Sequence, residues 1–315
     1  MITSFFKTSK PSHYIIFLFL LVSVFVFQRF DTYQTDALPV SYLKEFFAFI
    51  IFFIALFVFV FVITKNDLTQ NNSFAAFYLC LFFVLLPKSL SNHSILLSNL
   101  FILLSFRRIF SLKSNTNIKR KLFDSGFWIA LATIFYPLAG LYFISLISSI
   151  FLLSSGVLKN IFTVFFGIIS IGLLASIHNI IFYDELKFLH RLLPHISLDF
   201  SAFNDVLLVL SVALLITLAF WATFSLFNIM MLKVSKTRFT FMMLFFAILL
   251  GIIIPIFSPT KTEAPFVFLL FPLAILMANF TEHENSQWMS NLMVIVILGL
   301  ALTKIGFNIQ SYLQL

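Results

Sequence analysis

The chain has 315 residues, 61% hydrophobic and only 10% charged, with 47 Phe against 8 Gly and 9 Pro and a formal net charge of +8; its mean hydropathy is +1.07. Soluble chains average about half apolar and about a quarter charged residues, so this composition excludes a soluble domain and leaves a polytopic membrane protein. The lone Cys80 excludes an intramolecular disulfide and a thiolate metal cluster. The basic residues fall in short segments between apolar runs, where positive-inside bias puts them, which argues against a nucleic-acid partner.

In chain order, Lys7 and Lys10 precede the apolar run Tyr14 to Phe27, and Gln28-Arg29-Phe30-Asp31 follows without a small-residue cleavage site. The run therefore reads as an uncleaved first transmembrane helix rather than a signal peptide. Further apolar runs lie at about 46–63, 74–86, 95–106, 127–153, 157–182, 206–232, 239–257, 264–281 and 288–307. Crossing the hydrocarbon takes about 20 helical residues, so the runs 74–86 and 95–106 are short and need shielding by neighbours or a locally thinner bilayer. The 27-residue run 127–153 contains Tyr136-Pro137. It is either one kinked helix or two short ones, since proline removes a helical hydrogen bond and disfavours helix in the residue before it.

Charge chooses between them. With the N-terminus in the cytoplasm, the stretch 107–125, carrying Arg107, Arg108, Lys113, Lys119, Arg120 and Lys121, is also cytoplasmic. Two passes joined at Pro137 keep Lys233, Lys236 and Arg238 on that side too, and put the acidic Asp184, Glu185 and Asp199 outside. The expected fold is an all-α polytopic transmembrane helix bundle of eleven passes, ten if 127–153 crosses once. It forms a single integral membrane domain, 1–315, in a bacterial inner membrane, with the C-terminus outside.

The outer segments in this topology are 28–45, 87–94, the turn at Pro137, 183–205 and 258–263. The first holds Arg29, Asp31, Tyr33, Asp36, Lys44 and Glu45. In 183–205, Leu186, Leu189, Leu192 and Leu193 recur at helical spacing opposite Lys187, His190 and Arg191, the pattern of an amphipathic helix lying on the membrane surface. Asp31 or Asp36 is a candidate general base, and each also reads as a solvated loop carboxylate. Lys88, Lys187, Arg191 and Lys261 could hold a lipid phosphate or act as snorkelling anchors. His93, His178, His190 and His195 share this side but lack a metal-ligand spacing, so no metal site is assigned. Asn228 and Asn279 lie near cytoplasmic ends, and the middle of the runs holds no Asp, Glu or Arg, which argues against a secondary transporter.

Several segments, taken in order, resemble the core of GT-C membrane glycosyltransferases. Asp31 and Asp36 stand where that family places its first-loop acidic motif, and Asn99-Leu100-Phe101 through Arg107-Arg108 is similar to its short fourth helix. Ser125-Gly126 through Tyr136-Pro137 resembles its glycine-led helix that stops at an outer proline. The segment from Tyr183 stands at its later outer loop, and Thr260-Lys261 through Phe271-Pro272 resembles its late lysine-to-proline segment. The resemblance implies transfer of a sugar from a polyprenyl-phosphate donor in envelope glycan assembly. Asp31 or Asp36 would then be the base, with Tyr183, Lys187, Arg191 and Lys261 toward the donor. The chain as a whole also resembles uncharacterised Phe-rich polytopic inner-membrane proteins of Bacteroidetes, a resemblance that supplies no activity and leaves any cofactor unknown.

Two other readings stay open. A non-catalytic membrane subunit or scaffold of an envelope complex is favoured by the short first outer segment and the lack of a second acid after Asp31. A membrane oxygenase acting on an isoprenoid such as a carotenoid is motivated by the outer histidines. In each case the partner surface is membrane lipid.

Overall fold

A computed structural model describes residues 6–35, 39–152, 156–183, 193, 195–201, 203–231, 235–283 and 287–313. Among them are eleven α-helices and no strand. In order these are α1 (Pro11–Thr35), α2 (Pro39–Asn66), α3 (Phe74–Leu85), α4 (His93–Ser111), α5 (Ile118–Phe135) and α6 (Phe143–Leu152). They continue as α7 (Val157–Tyr183), α8 (Val206–Met231), α9 (Ser235–Phe257), α10 (Val267–His283) and α11 (Gln287–Leu313). Eight are long and apolar enough to cross a membrane: α1, α2, α4, α7, α8, α9, α10 and α11. The chain thus has the architecture of a multi-pass membrane protein.

The run 127–153 is two helices. Tyr136 caps α5 in extended conformation, its N–H donating to the Ala132 carbonyl, and Pro137 opens a 3-10 turn, Pro137–Tyr142, that leads into α6. Proline can supply no N–H to continue α5, and a first-turn position is where that deficit costs nothing.

The segment 28–45 corrects the expectation of an outer loop. Helix α1 runs on to Thr35 and α2 begins at Pro39, so Arg29, Asp31 and Tyr33 belong to α1, and Lys44 and Glu45 to α2. Nothing in Gln28-Arg29-Phe30-Asp31 breaks a helix, and Pro39 fits the first helical position. Helix α4 likewise outruns its apolar stretch. Asn92 caps its start by accepting from the Ile95 N–H at 3.1 Å, and Arg107-Arg108 continue rather than stop it.

Interactions between helix ends sort them into two faces. On one, His13 at the start of α1 meets Ser73 before α3 at 3.0 Å, and Asn279 near the end of α10 donates to the Leu68 carbonyl after α2 at 2.9 Å. Lys113 after α4 donates to the Asn66 carbonyl. On the other, Tyr136 after α5 donates to Ser258 after α9 at 3.0 Å, and His93 at the start of α4 meets Glu45 near the start of α2 at 3.1 Å. We call these the basic-loop face, after Lys119 and Arg120, and the Pro137 face.

The interior is centred on α10, which is buried along 89% of its apolar window, and on the short α3, buried at ten of its twelve residues. Pro87 ends α3 early, and α1, α10 and α11 pack around it. Being surrounded by protein, it has no need to match the bilayer thickness. Edge-on rings join α2, α3 and α10: Phe52 to Phe83 at 5.3 Å, Phe83 to Phe271 at 5.8 Å and Phe59 to Phe271 at 5.3 Å. Such contacts matter where lipid is as apolar as the side chains and burial alone drives little association.

The same reasoning explains the small residues between α4, α5 and α7. Ser98 donates to the Ala132 carbonyl at 3.0 Å and Ser105 to that of Ser125 at 3.3 Å, so α4 and α5 are joined by hydrogen bonds across buried surface. A Cβ on Gly167 of α7 would lie 2.6 Å from the Phe123 carbonyl oxygen of α5, and one on Gly126 would lie 2.9 Å from that of Val164. The helices therefore touch backbone to backbone. Gly172, one turn further along α7, faces open space. Gly167→Ala is expected to lower stability in detergent by about 1 to 3 kcal/mol, the usual cost of forced overpacking. Gly172→Ala should leave it unchanged or slightly raised, with thermal unfolding of both variants as the measurement.

Candidate functional site

The residues singled out in the sequence are distributed unevenly. Asp31 lies in the penultimate turn of α1 and Tyr183 is the last residue of α7; their side chains lie outside the described residues. Asp36, Lys187 and Arg191 lie outside them altogether, as does most of the segment expected to form the amphipathic helix. The described stretch 195–200 is irregular.

Lys261 is described fully and is buried. Its ammonium donates to the Ser197 carbonyl at 2.7 Å and to the Ile256 carbonyl at the end of α9, and lies 4.5 Å from the centre of the Phe200 ring. Lys261 therefore fastens the 195–203 segment to the α9–α10 connection. Removal from water lowers its proton affinity, while the nearby Asp199 carboxylate acts the other way. Asp199 accepts from the Ser201 N–H at 2.9 Å, and that hydrogen bond, with the Ser201 side chain and the Lys261 charge, holds its carboxyl below the usual range.

Two further charged pairs on this face were not anticipated. Glu263 and Lys304 form a buried ion pair at 2.6 Å, with side chains 2% and 6% exposed. The other Glu263 oxygen accepts from the Lys88 backbone N–H at 2.8 Å, and the Lys304 ammonium also donates to the Leu85 carbonyl at 3.1 Å. The pair joins the α9–α10 connection, the end of α3 and helix α11. Glu45, also buried, meets the half-exposed His93. His178 lies against the Phe182 ring at 4.8 Å and His195 is exposed. No group of three or more metal-ligating side chains converges among the described residues.

The basic-loop face holds more open polar space. A cavity of about 620 Å³ is lined by Asp67, Lys113, Glu282 and His283 together with Gln70 and Thr240. Glu282 accepts from the Gln70 N–H at 3.0 Å and the Asn72 amide at 2.6 Å, which holds the 67–73 connection against the end of α10. Asp67 terminates α2 in left-handed conformation, φ 50°, with the Leu68 N–H returning to the Ile63 carbonyl at 3.1 Å. This is a helix-ending motif in which Asp and Asn tolerate the positive φ better than most residues.

The chain belongs to DUF6427, a family of unknown function, whose model matches residues 8–313. No curated protein and no solved structure matches it.

Sequence reasoning missed the Glu263–Lys304 pair because Lys304 sits inside the last apolar run and reads as an interfacial anchor. It missed the Asp67 cavity because Asp67, just after α2, and Glu282, in α10, lie far apart in the chain. The one legible signal was the polar run Thr69-Gln70-Asn71-Asn72 after α2. Lys304→Met leaves Glu263 charged and buried, so it should cost about 3 to 5 kcal/mol in thermal or denaturant unfolding. Glu263→Gln combined with Lys304→Met should recover most of that loss.

Proposed function

We propose that this protein is a non-catalytic membrane subunit or scaffold of an envelope complex, sited in a bacterial inner membrane with its N-terminus in the cytoplasm. The observation that carries this reading is the use to which the charged groups of the Pro137 face are put. Lys261 is committed to two backbone carbonyls and an aromatic ring, and Glu263 and Lys304 to each other and to the end of α3. Charges spent in this way fix the relative positions of helix ends, as a rigid part requires, instead of meeting a substrate. The long helix α7, only 17% buried along its apolar window, offers a wide apolar flank at the side of the bundle.

The transferase acting on a polyprenyl-phosphate-linked sugar is the second reading. It is supported by α5 stopping at Pro137 and by α1 carrying Asp31 to the same face as Lys261, the order that the resemblance to GT-C enzymes implies.

A complementation experiment separates the two. In cells lacking the protein, a chain carrying both Asp31→Asn and Asp36→Asn should restore envelope integrity and surface glycans to the wild-type level. The wild-type protein should also purify from its native membrane in mild detergent with a stoichiometric envelope partner. Loss of surface glycan with the double variant at normal abundance would overturn the subunit reading in favour of the transferase, and recovery of a lone monomer would also count against it.

A further inference from the structure

Helices α1 and α2 meet near the Pro137 face through Phe25, whose ring lies 5.5 Å from Phe49 and 5.7 Å from Phe52. Toward the basic-loop face they part. Between Tyr14–Leu21 of α1 and Phe53–Phe61 of α2 runs a groove of about 540 Å³, floored by Ala76 and Leu79 of α3 and walled almost wholly by apolar atoms. Its end is continuous with a cavity of about 200 Å³, because Tyr14, Phe59, Val60 and Ala76 line both. The lining of this second space is about half polar: Ser9, Thr64, Asp67, Gln70, Asn71 and Asn72 border it beside Ile63 and Ala75.

This sequence of surfaces, apolar at membrane depth and hydrogen-bonding at the helix ends, is the mould of one amphiphile lying along the bundle. Asp67 selects the headgroup. It is the one charged residue lining the smaller cavity, it also borders the larger one, and among the described residues no hydrogen bond or ion pair engages its carboxylate. Asp67 is exposed, and an accessible carboxylate beside this lining favours a headgroup cation that donates N–H bonds over an anionic headgroup. We infer that the α1–α2 groove and the Asp67 cavity bind a single membrane lipid bearing a primary ammonium headgroup, its chains in the groove and its ammonium at Asp67.

The test is native mass spectrometry of the full-length, delipidated protein offered phosphatidylethanolamine, phosphatidylcholine or phosphatidylglycerol of the same chain composition. A saturating one-to-one adduct is expected with phosphatidylethanolamine, retained about tenfold better than phosphatidylglycerol, the ratio one charge-assisted hydrogen bond supplies. Asp67→Asn keeps a residue suited to positive φ, so the fold is preserved; its phosphatidylethanolamine adduct should fall to the phosphatidylglycerol level. Ala76→Phe, which fills the groove, should weaken every adduct. Equal retention of the three lipids, non-saturating annular adducts only, or an ethanolamine preference that survives Asp67→Asn would each overturn the inference.

Discussion

Proline has no backbone N–H, and at position 137 that deficit falls inside a 27-residue apolar run with no charged residue to mark a boundary. Water could satisfy a broken helix in a soluble protein. In a bundle of apolar helices the freed groups have to be met by the chain itself. Around the break the Tyr136 N–H keeps its bond to the Ala132 carbonyl, the Ala139 N–H reaches the Tyr136 carbonyl, and the Tyr136 hydroxyl donates to Ser258. The break thus becomes a turn at one face of the bundle, and every later helix end takes its face from it. Had the run continued as a single helix, the α9–α10 connection could not meet Tyr136, and Glu263 could not reach the Lys88 N–H.

Those contacts illustrate a second constraint. An apolar surrounding makes burial a weak adhesive between helices, so the bundle relies on close backbone approach at Gly126 and Gly167, hydroxyl-to-carbonyl bonds from Ser98 and Ser105, and paired charge at Glu263 and Lys304. The serines join the consecutive helices α4 and α5, the glycines join α5 to α7, and the charged pair joins α11 to the α9–α10 connection. The charged pair is the most demanding of them, since each partner is tolerable only while the other is present. The Glu263–Lys304 pair closes the Pro137 face; the basic-loop face is held by an Arg108–Asp124 ion pair at 2.7 Å, by amides and by Glu282 across the 67–73 connection, and it keeps open polar space beside Asp67.

Much of the architecture was legible in the residues. Eleven helices follow from apolar runs and from one decision at Pro137, made by asking which arrangement gathers Arg107, Lys121 and Lys233 on one side. Element limits were less legible, because a helix does not end where hydrocarbon ends. The polar stretch Gln28 to Thr35 extends α1 and the Arg107-Arg108 pair extends α4, since none of these residues stops a helix. Of the candidate site residues, Lys261 was noticed for its charge, whereas its commitment to the Ser197 and Ile256 carbonyls depends on two connections folding together. Lys304 and Glu263 were opaque for the same reason. A lysine at the end of an apolar run has the same local sequence whether it reaches for headgroups or for a buried glutamate. Asp67 drew no notice in the sequence, and its place between two cavities is created by α1, α3 and α10.

The two faces of the bundle can be told apart chemically. In a Cys80→Ala background, single cysteines at Thr116, Lys159, Asp199 and Thr260, all at exposed positions, can be labelled in sealed membranes with a reagent that does not permeate. Thr116→Cys and Lys159→Cys should react from one side, and Asp199→Cys and Thr260→Cys from the other. Labelling of positions 116 and 159 from opposite sides would mean that the chain crosses only once between them, contradicting the turn at Pro137 and everything built on it.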